Sequence, residues 1–437
     1  MKRPAIKINR VAKNAGWIIG GKLVNKLLAF LVGILTARYL GPDNYGLLNY
    51  AAAYTSFFAS ICTLGINSVI VKDFVDHPEQ AGNAIGTTIL LRAISSFLSA
   101  VMIIGIVAII DYDEPLTIAV VALSCVGLIF QIFDTLNYWF QSRLQSKYSV
   151  IASLLSYLAV SGYKIVLLVM GKSVKWFALA SSLDYIVLTV FLLAAYYSNK
   201  GPKFTCSLQK AKTLLYSSSS FIISGLMVSI YACTDKFMLK QMLGGSSVGF
   251  YSLASTLSVS WAFILSAVID SFYPEIVKSY TENYSVYERK NRQLYAIVFY
   301  LSIAMSAIIC ILSKPMIEIL YGTSYAPAVQ PLRIVVWYTA FSYLGVARNV
   351  WMVCEGQQRF LKYLYIGAAI INVILNLFLI PLCGASGAAM ASLITQISTT
   401  LLLPAMIKPL WPNTKLMIDA MLFRHLFKDK KLSHGKE

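Results

Sequence analysis

The chain has 437 residues, of which 58% are hydrophobic and only 13% charged, with a formal net charge of +18. Ordinary soluble domains are roughly half apolar and about a quarter charged. The composition therefore excludes a soluble enzyme, and the positive charge does not gather into the basic patch that nucleic-acid binding needs.

Stretches of about 20 apolar residues, enough to cross the hydrocarbon core, recur with short connectors. They leave no room for a catalytic domain outside the bilayer. Lys2, Arg3, Lys7, Arg10 and Lys13 precede the first stretch, 15–37. It is too long for a signal peptide and lacks a clean small-residue cleavage site, so it reads as a retained helix. The next five spans are expected at 45–70, 84–110, 116–139, 149–170 and 174–197. Helix-ending Ser198-Asn199-Lys200-Gly201-Pro202-Lys203 then forms the clearest linker. Six more spans are expected at 215–238, 248–272, 293–313, 329–352, 361–381 and 384–407. Pro327, Pro331, Pro381 and Pro404 mark helix starts, ends or kinks.

The two sets of six share an internal echo. Leu40-Gly41-Pro42-Asp43-Asn44-Tyr45-Gly46 matches Leu243-Gly244-Gly245-Ser246-Ser247-Val248-Gly249 in its leucine and both outer glycines. Ala51 and Ala254 extend the match at the same offset, and Gly171 and Gly384 agree after a shift of about ten residues. Doubling of a six-helix unit returns the chain to its starting side, so the halves share one orientation. The expected organisation is all-α and integral to the membrane: a six-helix lobe over 1–200, another over 201–410, a central cleft between them, and a basic tail over 411–437.

Lys and Arg on the N-terminus, alternate loops and tail outnumber those on the intervening loops roughly five-fold, which by the positive-inside rule places both termini in the cytoplasm. The acidic Asp111-Tyr112-Asp113-Glu114 loop is then external. The connector 278–292, with Glu282, Glu288, Arg289 and Lys290, is expected as a short cytoplasmic helix or loop. In the tail, Leu416, Met417, Ala420, Met421 and Phe423 precede Arg424, Lys428, Lys430 and Lys431. This pattern suits an interfacial helix against anionic headgroups, with disorder beyond it.

Ionised groups inside spans are costly unless they face a cavity or a partner, and so they are the best functional pointers. Lys22 and Lys26 project from one helix face, which Ala29 and Gly33 continue. Arg92, Lys164, Lys236 and Arg348 add cations in both halves, and a ladder of this sign selects anions. The alternatives are that Lys22 snorkels to the membrane edge, and that Asp134, Asp184, Asp235 and Asp270 neutralise the cations internally. Asp184 and Asp235 are also candidates for ion coupling.

Several chemistries find no support in the sequence. Gly171-Lys172-Ser173 lacks the upstream glycine of a phosphate loop, so ATP hydrolysis is not expected. His77, His425 and His434 all lie outside the spans. The seven cysteines have no metal-ligand spacing and read as apolar filler. No cofactor or metal is expected, and no enzyme activity.

The run Ala37-Arg38-Tyr39-Leu40-Gly41-Pro42-Asp43-Asn44-Tyr45-Gly46, followed by Leu64-Gly65-Ile66, resembles the start of the polysaccharide transporter or O-antigen flippase family. That family sits within the multidrug/oligosaccharidyl-lipid/polysaccharide exporter superfamily. Asp235-Lys236, Leu243-Gly244 and Val248-Gly249-Phe250-Tyr251 are similar to its seventh-to-eighth helix pattern, and Gly384-Ala385-Ser386-Gly387-Ala388-Ala389 to its last glycine-alanine turn. The resemblance covers the chain to about residue 410. It implies alternating-access transfer of a polyprenyl-pyrophosphate-linked oligosaccharide across a bacterial cytoplasmic (inner) membrane, for O-antigen, lipopolysaccharide or other surface polysaccharide. The implied partners are this substrate, membrane lipids and other polysaccharide-assembly proteins. The alternatives are an ion-coupled multidrug exporter of the same superfamily, a membrane enzyme of envelope assembly, and a scaffold.

Overall fold

In the computed structural model, which describes residues 5–424, every regular element among the described residues is helical. The leucine-glycine echo is a sharp corner in both halves. Gly41 (φ 72°, ψ 172°) breaks α1 (Ala5–Cys62) into two spans, and Gly244 (φ 86°, ψ −176°) separates α8 (Leu208–Leu243) from α9 (Gly245–Val259). This region of backbone is essentially restricted to glycine. The match reaches into the packing: Ala51 and Ala254 are both fully buried.

The chain divides into two compact units, one ending at Cys233 and the other starting at Thr234. In the first, α1 is followed by α2 (Asn67–Asp76), α3 (Ala81–Ile110), α4 (Pro115–Phe130), α5 (Thr135–Ser142), α6 (Ser146–Val169) and α7 (Val174–Ser198). The fourth expected span is not one helix. A 3-10 turn, Gln131–Asp134, joins α4 to α5 and puts Asp134 at the break. One core cluster gathers Ile66, Ile70, Trp139, Phe140, Leu192 and Tyr196. The linker after α7 lies on α3, where a side-chain carbon at Gly82 or Gly86 would collide with the carbonyls of Lys203 and Thr205. Thr205 N–H donates to the Gly82 carbonyl (3.2 Å) and Ser207 N–H to Thr87 Oγ1 (3.1 Å). The first turns of α8 continue this attachment through Lys210 and Asp73, 2.7 Å apart.

In the second unit, α9 and α10 (Phe263–Glu282) form a span bent by 41°. There follow α11 (Tyr284–Tyr321), α12 (Val329–Val335), α13 (Tyr338–Cys354), α14 (Leu361–Cys383), α15 (Ala385–Ile397), α16 (Leu403–Met406) and α17 (Trp411–Met421). The tenth expected span is the pair α12 and α13. The twelfth is α15 and α16 joined by a π-helical turn, Ser398–Leu402. Eight helical stretches among the described residues are long and apolar enough to cross a membrane, nine with the bent pair. Since α1 holds two spans, and α8 and the α12–α13 pair are the more polar remainder, the architecture of about twelve membrane helices stands.

The tail differs from expectation. Leu416, Met417 and Ala420 of α17 are buried within the core that contains Tyr287, Leu294 and Tyr295 of α11. Asn413 Nδ2 donates to Tyr295 Oη (2.6 Å), Tyr300 Oη donates to the Met421 carbonyl (2.5 Å), and Phe423 stacks on Tyr300 at 4.1 Å. Protein covers the Leu416, Met417 and Ala420 part of the apolar face, whereas Phe423 stays exposed. Lys428, Lys430, Lys431 and the disorder expected beyond the tail helix lie outside the described residues.

Candidate functional site

A polar side chain in an apolar helix needs a partner, because hydrocarbon offers none. The most fully partnered one is Asp235 on α8, which is buried with 5% exposure. Its Oδ1 accepts from Asn372 Nδ2 (3.0 Å) and Asn376 Nδ2 (2.6 Å), one helical turn apart on α14. Its Oδ2 accepts from Ser392 Oγ on α15 (2.5 Å) and from the hydroxyl of Tyr251 on α9. Tyr251 Oη and Ser392 Oγ are 2.9 Å apart, and Asn376 Nδ2 also donates to Asn372 Oδ1 (3.1 Å). All four donors are neutral. Turning the Asn372 and Asn376 amides exchanges donor for acceptor, so the same side chains offer a carboxylate, hydroxyls and carbonyl oxygens to a proton or a small monovalent cation. Asn376 Oδ1 is buried and has no hydrogen-bond partner. Among the described residues no group of three or more His, Cys, Asp or Glu forms a metal centre.

The other candidates from the sequence fall into separate settings. In the first unit, Arg92 is almost fully buried. It donates through Nη1 to Thr135 Oγ1 (2.9 Å) and through Nη2 to Asn67 Oδ1. A cavity of about 10 Å³ beside it is lined by Cys62, Thr63, Ser96, Gln131 and Asp134, about the room one water requires. Lys164, half-buried on α6, lies in the field of Asp184 on α7. Ser156 Oγ donates to Asp184 Oδ1 and to its carbonyl, both at 2.8 Å. Among the described residues neither Arg92 with Asp134 nor Lys164 with Asp184 forms an ion pair, so the internal neutralisation weighed from sequence is not seen as direct contact. Lys22 and Lys26 are exposed. They lie about 100° round the helix from Gly21 and Asn25, which face α6.

In the second unit, Arg348 on α13 is buried and donates through Nη1 to the Thr399 carbonyl (3.0 Å) in the π turn. Tyr295 and Tyr365 are the polar groups that act on it. Lys236 is half-buried on α8, and Lys240, one turn on, is buried. Asp270 is exposed. Sequence reasoning missed Lys240, Tyr251, Asn372, Asn376 and Ser392. The available signal was Asn372-Val373-Ile374-Leu375-Asn376, two amides on one face of an otherwise apolar helix.

The first unit also holds a groove of about 110 Å³ whose polar wall is Thr55, Ser56, Ser124, Gln131, Ser181 and Tyr185. The Gln131 Oε1 atom is buried without a hydrogen-bond partner.

With this geometry in hand, similarity to known proteins is decisive for the family. The model of the family described as "Polysaccharide biosynthesis protein" matches residues 11–280, well over half the chain. The chain belongs to this polysaccharide biosynthesis family. A putative O-antigen transporter of Escherichia coli (strain K12) is 20% identical over 403 residues, covering 90% of this chain and 95% of the relative. A succinoglycan biosynthesis transport protein of Rhizobium meliloti (strain 1021) is 21% identical, covering 74% and 65%. Among solved structures, the lipid II flippase MurJ in an inward closed conformation superposes with a TM-score of 0.67 at 12% identity, covering 92% and 90%. An inward-facing multidrug resistance MATE family transporter of the MOP superfamily gives 0.61 at 17%, covering 90% and 95%. At these identities the structural likeness shows the fold: this member of the family has the multi-pass helical architecture of the MATE and MurJ transporters.

Proposed function

We propose that this family member is a transporter and not an enzyme: a flippase that carries an oligosaccharide unit, linked through diphosphate to a polyprenyl lipid, from the cytoplasmic to the outer leaflet by alternating access. The product is O-antigen or another surface polysaccharide of a bacterial cell. Family membership together with polar and ionised groups inside the spans supports this reading. An anionic headgroup needs cations along a wet path, and Lys22, Lys26, Lys236 and Arg348 are assigned to it. The hydroxyl- and amide-walled groove at Thr55, Ser124, Gln131 and Tyr185 has the chemistry that sugar hydroxyls require. Arg92 and Lys164 hold local positive charge against Asp134 and Asp184.

The observation that carries the coupling assignment is the Asp235 cage. A carboxylate held by four neutral donors is a group whose charge a proton or alkali cation can cancel at small structural cost. We assign Asp235 as the coupling residue and Asp184 as a secondary one. Deletion of the protein followed by identification of lipid-linked glycans tests the reading. An oligosaccharide-diphosphate-polyprenol is expected to accumulate on the inner leaflet and to clear on re-expression. Normal intermediate levels, together with raised sensitivity to cationic drugs, would instead establish an ion-driven drug exporter.

A further inference from the structure

Two adjoining depressions on the first unit share Trp17. One, of about 400 Å³, is walled by Gly16, Gly20, Gly21 and Val24 of α1 and by Val150 and Leu154 of α6, with no charged side chain. The other, of about 410 Å³, is lined by Asn14, Arg143, Leu144, Gln145, Lys147 and Tyr148. Both fall within the size range of small-molecule pockets. Lys147, Val150 and Leu154 follow the spacing of a single face of α6, as Trp17, Gly20 and Val24 do on α1. The apolar trough therefore runs down the helices from the cationic mouth, for about 10 Å at 1.5 Å per residue.

Its walls are tied together at two levels. Ser146 N–H donates to Asn14 Oδ1 (2.8 Å) at the mouth, and Asn25 Nδ2 donates to Ser153 Oγ (3.1 Å) further down. The mouth is positioned by aromatic rings: the Arg143 guanidinium lies over Trp139 at 4.4 Å and the Lys147 ammonium over Tyr148 at 4.6 Å. Stacking leaves the N–H donors of both cations available. Both side chains are exposed, and among the described residues neither forms an ion pair.

We propose that this groove binds one anionic phospholipid, with its phosphate at Arg143 and Lys147 and one acyl chain in the trough between α1 and α6. Charge complementarity selects the occupant: two adjacent cations stand at the entrance of an uncharged channel, the mirror of a phosphate head on a hydrocarbon tail. The aromatic residues around the mouth suit the depth of the headgroups. This end of the unit carries the basic N-terminal segment expected at the cytoplasmic face, where anionic lipids give the membrane its negative surface potential. A trough this short accommodates part of one acyl chain, which favours a resident phospholipid over the long polyprenyl carrier.

The test is lipid titration of the purified full-length protein by native mass spectrometry, with phosphatidylglycerol and phosphatidylcholine compared. Phosphatidylglycerol is expected to bind at least ~10-fold more tightly, because its headgroup carries a net negative charge towards two adjacent cations near the membrane surface. Arg143→Gln/Lys147→Gln is expected to erase the preference. Gly20→Leu fills the trough, since a side-chain carbon at Gly20 meets nothing within 4 Å, and is expected to weaken phosphatidylglycerol several-fold with both cations intact. Gly16→Leu, which also has open space, replaces it should Gly20→Leu lose the monodisperse protein. Equal binding of the two lipids by the native protein, or undiminished phosphatidylglycerol binding in both kinds of variant, overturns the proposal. Displacement of phosphatidylglycerol by a lower concentration of polyprenyl diphosphate also overturns it, by giving the groove to the carrier lipid.

Discussion

Two buried charges, one in each unit, are held in different ways. Arg92 in the first donates to Asn67 and Thr135, with Asp134 on the wall of the same small cavity. Asp235 in the second is enclosed by Tyr251, Asn372, Asn376 and Ser392, all neutral. A guanidinium does not give up its proton in a protein, so its burial is tolerated only while its hydrogen-bond acceptors stay in place. A carboxylate held by neutral donors can be discharged without stranding an opposite charge. The first arrangement is suited to bracing helix ends and the second to exchanging a small cation.

That contrast is open to direct attack, beginning with stability. Arg92→Ala should cost about 1–3 kcal/mol by leaving the Asn67 and Thr135 oxygens without their donor, read as a lowered unfolding temperature of the detergent-solubilised protein. Recovery of that loss in Arg92→Leu/Asp134→Leu would show that the nearby carboxylate depends on Arg92, and no recovery would show that it does not. Asp235→Asn is the counterpart in the other unit. It should keep the unfolding temperature close to that of the native protein and reduce glycan export about ten-fold or more, equivalent to about 1.4 kcal/mol. An export-competent Asp235→Asn protein would remove the coupling assignment.

Backbone substitutions sharpen the comparison from another side. Gly41→Ala and Gly244→Ala should each cost about 1–3 kcal/mol, since both force a side chain into a glycine-only region. Unequal losses would show that the two corners do not bear the same structural burden. The smallest stability effect is expected at Lys26→Ala, within about 0.5 kcal/mol because the side chain is exposed. Export should nevertheless fall several-fold if Lys26 meets the diphosphate. A variant with full surface glycan would take it off the path.

Apolar length and turn chemistry exposed much of this architecture in the sequence. The spans emerge because hydrocarbon demands unbroken runs, and the Gly41 and Gly244 corners because one residue type can make them. The breaks at Gln131–Asp134 and Ser398–Leu402 were hidden. Neither contains Gly or Pro; Arg348 holds the Thr399 carbonyl in the second, and Thr189 Oγ1 donates to the Phe130 carbonyl (3.1 Å) where the first begins. The α17 face was recognised as apolar, yet periodicity reports only that a face is buried and is silent on what buries it. The site was half visible for a similar reason. Ionised residues announce themselves in a hydropathy profile, whereas Tyr251 and Ser392 become site residues only when folding sets their hydroxyls on Asp235.

The corner at Gly41 turns the chain with almost no intervening loop. An epitope tag or protease site spliced there would pry apart two spans instead of decorating a surface, so loss of expression at that position reports nothing about which side of the bilayer it faces. Sidedness mapping by insertion belongs at connectors with slack, such as Asp111–Pro115, where failure and exposure can be told apart.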